Sequence, residues 1–185
     1  VTVSIGTSGS ATEGTDYGTI SDITISSGDT TGTASFTPTD DNLYETSTDE
    51  TATVSITGVS GGSATESGSQ SVTLTIEENE SAPTVTLSTS ATSIDENSGS
   101  VLTLTATLSV ATTADVTVTI ATSGTATEGT DYTDGSGNID DLVIAAGNTT
   151  ETISFKPTND SVYEGDETAT IAVSGVSGGS ATESG

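Results

Sequence analysis

VTVSIGTSGSATEGTDY, residues 1–17, returns as VTVTIATSGTATEGTDY at residues 116–132, carrying Tyr17 onto Tyr132. Each copy begins with Val, Ile or Ala alternating with Ser or Thr, the period of a strand with one face buried and one wet. Threonine is β-branched and suits the solvent side of a sheet, which leaves the aliphatic residues for the core. The same alternation marks Val72–Ile76 and Val101–Leu108, and no stretch shows helical spacing.

Outward from this pair the repeat continues. Phe36 matches Phe155, Tyr44 matches Tyr163, and GVSGGSATESG occurs identically at 58–68 and 175–185. Extra residues in the second copy fall in the loop TDGSGNIDD. A period near 117 residues filled with short strands and turn signals predicts an all-β fold of tandem antiparallel β-sandwiches. Strands are expected at 101–109, 116–123, 142–145, 151–157 and 168–174, with a further one at Phe36. SVTLTIEE (71–78) reads as the closing strand of the first repeat, and Pro83 follows a short linker. The expected division is 1–80, a repeat lacking its opening strands, and 81–185, a repeat lacking its closing strand. An absent edge strand exposes backbone donors and acceptors, so completion by a neighbouring repeat or an identical chain, through strand exchange, is an expected mode of assembly.

Composition narrows the function. Twenty-seven Asp and Glu face one basic residue, Lys156, for a net charge of −26, which excludes the basic footprint of a nucleic-acid binder. Cysteine, histidine, methionine and tryptophan are absent, removing thiol chemistry, His-based nucleophile activation and soft-metal sites. No apolar run reaches the length of a membrane span, so direct membrane insertion is not expected. The reading is of a non-enzyme, secreted or on the cell surface.

The acids are concentrated in connections. TPTDDNLYETSTDET holds Asp40, Asp41, Glu45, Asp49 and Glu50, and its counterpart KPTNDSVYEGDET holds Asp160, Glu164, Asp166 and Glu167. Crowding carboxylates onto one loop costs repulsion that a divalent cation removes. Calcium suits such a loop because it takes six to eight hard oxygens at flexible angles, whereas magnesium demands an octahedron. The stretch 134–140 has alternating oxygens, but without a terminal Glu or flanking helices it reads as a loop or auxiliary site. Tyr17, Tyr44, Tyr132, Tyr163, Phe36 and Phe155 read as core anchors. Three glycosylation sequons, at Asn79, Asn148 and Asn159, are too short a motif to carry weight.

Glu96-Asn-Ser-Gly99, Asp131-Tyr132 and Asp160-Ser-Val-Tyr-Glu164-Gly-Asp-Glu167 together resemble the Calx-beta domain, and the resemblance covers both copies. It implies an immunoglobulin-like sandwich with calcium at one end. Carried over, the second repeat would use Glu96, Asp131, Asp160, Glu164 and Glu167. The first would use Asp16, Asp41, Glu45 and Glu50, with Asp40 at the place Asn159 takes in the second, and with Glu77 and Glu78 after its closing strand. The functional expectation is a calcium-stiffened module of a repetitive extracellular fibre or adhesin. The alternative is a module that recognises glycans or a protein partner, which needs an exposed aromatic ring.

Overall fold

The computed structural model describes residues 1–45 and 49–184. Among them there is no α-helix, and the chain divides into two compact units. Unit 1 comprises 1–41 and 48–79; unit 2 comprises 80–185 together with 42–47.

Unit 1 is built on one antiparallel sheet, in the order β2 (Ile23–Thr24), β1 (Thr2–Gly9), β4 (Glu50–Ser60), β5 (Ser71–Ile76). Its core is small: Ala11, Tyr17 and Ala52 are buried, with Ile20, Phe36 and Ile76 packed against them. The Tyr17 and Phe36 rings lie 4.8 Å apart, centre to centre. The strand expected at Phe36 does not form a ladder here. Its segment runs without strand pairing until Pro38 bridges to Tyr17. In unit 2 the matching segment, β12 (Thr150–Pro157), gains its hydrogen bonds from β7 (Leu102–Leu108). No described strand of unit 1 occupies that place, so alternation in sequence finds no ladder to join.

Unit 2 has two main sheets. One runs β10 (Tyr132–Thr133), β12, β7, β6 (Thr84–Thr89), β14 (Thr182–Glu183), and the other β11 (Leu142–Ile144), β9 (Val116–Gly124), β13 (Ala169–Ser177). The buried cluster draws Val85, Ala106 and Leu108 from the first sheet and Val116, Val118, Leu142 and Ile144 from the second, which is the face-to-face packing of a sandwich. A second cluster of Leu104, Tyr132 and Ile139 holds Phe155, whose ring stacks on Tyr132 at 4.7 Å. Strand β13 lies at the edge of its sheet, whereas its counterpart β4 is flanked by β1 and β5. Unit 2 also includes a two-residue parallel pair, β3 (Leu43–Tyr44) against β8 (Ala111–Thr112).

A matched glycine ends β1 in the first repeat and its counterpart β9 in the second. Gly9 has φ +135°, and a Cβ there would lie 2.0 Å from the Thr51 carbonyl oxygen. Gly124 has φ +133°, and the corresponding approach is to Thr168. Only glycine tolerates both the backbone angle and the contact. The turns that follow hydrogen-bond to the same carbonyls, Ala11 N–H to Thr51 and Ala126 N–H to Thr168. This clamps the Asp-Tyr corner beside Glu50 in one unit and Glu167 in the other.

Candidate metal centre

In both repeats the corner is a turn closed by its own aspartate. Thr12 N–H donates to Asp16 Oδ2 at 2.5 Å and Thr127 N–H to Asp131 Oδ2 at 2.6 Å. The adjacent tyrosine is buried, which fixes the aspartate on the outer side. Backbone bonds from Thr39 N–H to the Asp16 carbonyl and from Thr158 N–H to the Asp131 carbonyl bring the start of the acidic loop alongside. A carboxylate oxygen has two lone-pair sites, so a turn bond leaves these aspartates able to ligate.

In unit 2 all five expected residues converge. Asp131, Glu164 and Glu167 each present a carboxylate oxygen within 4.8 Å of the others. Glu96, which opens a single 3-10 turn, accepts the Asp160 N–H at 2.8 Å, and Asp160 Oδ1 accepts the Val162 N–H at 2.6 Å. The Glu164 carboxyl is raised above the ordinary glutamate value, first by lost solvation and then by Asp131, Asp160, Glu167 and Glu96. Three segments far apart in sequence therefore place their negative charge on one point.

In unit 1, Asp16 and Glu50 bring carboxylate oxygens within 4.8 Å of one another. Burial raises the Glu50 carboxyl, reinforced by Asp16 and then Glu78. Glu50 Oε2 is shut off from solvent with no hydrogen-bond partner among the described residues. A buried, unsatisfied carboxylate oxygen facing other carboxylates is costly by itself and suited to a hard cation. Glu77 is exposed and is not among the charges acting on Glu50. Asp40 accepts from the Asn79 side chain at 3.0 Å, Asp41 is exposed, and Glu45 belongs to unit 2, where its carbonyl accepts the Thr113 hydroxyl at 2.9 Å.

Other acids have backbone partners instead. Glu13 takes the Thr7 hydroxyl and Ile20 N–H, and Glu128 takes the Thr122 hydroxyl and Ile139 N–H. Asp22 and Asp141 accept from Ile5 N–H and Ile120 N–H, each at 2.9 Å. Sequence reasoning assigned these four staples no role, although each recurs at its repeat position, which was the available signal. Asp134 accepts the Ser136 and Gly137 N–H groups and the Ser136 hydroxyl, all of which hold its carboxyl below the usual range. It closes its own loop.

Tyr163 departs from expectation. Tyr17, Tyr44 and Tyr132 are buried, but Tyr163 is 96% exposed and Val162 beside it 63%. Tyr44 has β8 to lie against, while no described strand covers Tyr163, so an equal sequence position does not give equal burial.

A β-sandwich carrying a cluster of loop carboxylates defines the class of protein: an all-β sandwich module with a candidate hard-cation site. Family comparison matches residues 1–80 and 78–183 to the Calx-beta domain, and the chain belongs to that family as a tandem pair of repeats. Calx-beta domains are non-catalytic modules associated with calcium binding. No curated protein matches the chain.

Proposed function

We propose that the chain is a calcium-binding structural module of a repetitive extracellular fibre or adhesin, in which calcium stiffens the repeats. Asp16, Glu50 and Glu78 in unit 1, and Glu96, Asp131, Asp160, Glu164 and Glu167 in unit 2, hold the ion. Calcium would supply positive charge that offsets the mutual repulsion of these carboxylates. The observation that carries the reading is the solvent-shielded Oε2 of Glu50, which has no hydrogen-bond partner among the described residues, in a carboxylate within 4.8 Å of that of Asp16.

The physical role follows from the thin cores. Unit 1 buries few side chains and the chain has no disulfide, so a ligand bound only by the folded state adds stability by mass action. Extracellular modules bind calcium at about 10⁻⁴ to 10⁻³ M. Such sites fill outside a cell and stay empty in cytoplasm, so the module would stiffen after export. A calcium titration followed by calorimetry tests the binding, with a melting temperature that rises with calcium and falls back with chelator. A melt indifferent to calcium refutes it.

One observation favours a second reading, recognition of glycans or a protein partner: the exposed ring of Tyr163. Glycan array binding abolished by Tyr163→Ala supports it, and no binding removes it.

A further inference from the structure

The repeat sets up an internal comparison. Asn42-Leu43-Tyr44-Glu45 and Ser161-Val162-Tyr163-Glu164 occupy the same position in the two copies. The first belongs to unit 2. Leu43 and Tyr44 pair in parallel with Ala111 and Thr112, Thr113 N–H donates to the Tyr44 carbonyl at 3.2 Å, and the Thr113 hydroxyl donates to the Glu45 carbonyl. Tyr44 is 4% exposed as a result, and Thr112 below it is also buried. The second carries a β-branched residue and the same tyrosine, yet Tyr163 is 96% exposed. An apolar pair with strand propensity left in solvent next to ordered loops is a cost unless something covers it.

We propose that Val162–Tyr163 is a docking strand whose partner is another Calx-beta repeat presenting an open Ala111–Thr112 edge. The partner would add Val162–Tyr163 in parallel to that dipeptide, as β8 does with Leu43–Tyr44 here. Backbone bonds supply generic affinity, and burial of the tyrosine ring, as at Tyr44, supplies the selectivity. The residue after the tyrosine is Glu164 of the candidate calcium site, as Glu45 follows Tyr44, so docking would tether one end of the acidic loop. The docking strand stands on pairing and burial, independently of calcium.

The test extends the full chain by appending a copy of residues 69–185 after Gly185. The identity of 58–68 with 175–185 makes the junction repeat the native one. Lys156→Arg in the appended copy distinguishes its peptides by mass. Tyrosine nitration is then read residue by residue, in calcium and in chelator. In the 185-residue chain Tyr163 reacts freely and Tyr44 does not. In the extended chain Tyr163 is expected to fall at least tenfold, toward Tyr44, while the last copy of the same tyrosine stays reactive. Protection in both media or in calcium alone supports docking, whereas calcium binding is judged separately by the melting titration. Equal reactivity of the two rings overturns the proposal. So does an appended copy whose counterpart of Tyr132 is unprotected, since a unit of this kind forms with the docked segment in place.

Discussion

Glu50→Gln separates a calcium ligand from a structural acid, because it changes sign with the medium. The substitution keeps the shape of the side chain and removes one charge beside Asp16, whose carboxylate lies within 4.8 Å. At that separation in water-like dielectric two like charges repel by about 0.9 kcal/mol, and physiological salt reduces this to about 0.5 kcal/mol. Solvent screening governs such part-exposed groups, so this modest figure is the appropriate one. In chelator Glu50→Gln should therefore stabilise the protein, raising the melting temperature of unit 1 by about 2–4 °C at roughly 4–8 °C per kcal/mol. In calcium the order reverses. At about a hundred times its dissociation constant calcium adds about 2.7 kcal/mol to the wild type. Losing one ligand, taken as a tenfold weaker site, removes about 1.4 kcal/mol of that. Differential scanning calorimetry in chelator and in excess calcium reads both arms. A variant less stable than wild type in both media would refute the reasoning, because Glu50 would then be a structural acid like Glu13.

The pH dependence follows from the same carboxylates. Glu50 and Glu164 have folded values above the ordinary 4.5, so between that value and the raised one the folded chain holds more protons than the unfolded. Calcium-free protein should thus gain stability as pH falls from neutral toward 4.5 and lose it as pH rises, while the calcium-induced increment shrinks over the same range; melting curves in chelator and in calcium from pH 4.5 to 7.5 check both. Gly124→Ala forces a side chain into a φ of +133° and against the Thr168 carbonyl, which should cost at least about 1–3 kcal/mol and lower the melting temperature with or without calcium. Asp134→Asn should leave calcium affinity unchanged by titration calorimetry, since that carboxylate serves its own loop.

Much of the fold is legible in the sequence for a physical reason: alternation reports burial directly, so the pattern alone assigns Val116, Val118, Ala106 and Leu108 to a core, and all four are buried. Repetition reports the corner, because a buried tyrosine after a turn-closing aspartate works only as a unit. The convergence of Glu96 with Asp160 and Glu164 is accessible only through family resemblance, since 64 residues separate Glu96 from the amide it accepts. Context is what the letters do not carry. The Phe36 segment has strand composition but no neighbour to bond, and Tyr163 has the sequence position of a buried residue without the strand that buries it. Ligand choice among adjacent acids is equally opaque: Glu77 and Glu78 are indistinguishable as letters, yet Glu77 is exposed while Glu78 is half-buried and acts on Glu50.

The distribution of acid across this fold also constrains how the charge can be tolerated. Four carboxylates, on Glu13, Asp22, Glu128 and Asp141, are held by backbone N–H groups, each a charge-assisted bond made within the protein itself. The loop carboxylates also face one another: Asp131 and Asp160 accept backbone N–H groups, yet Glu164 still lies among the charges of Asp131, Asp160, Glu167 and Glu96. The first group has its partners within each unit, while the second, on the proposed reading, takes an external cation. On the proposed calcium reading, the two sets of carboxylates play separate roles by position. Neutralising a staple and neutralising a cage residue should accordingly give opposite effects in chelator, although both remove one negative charge from the same protein.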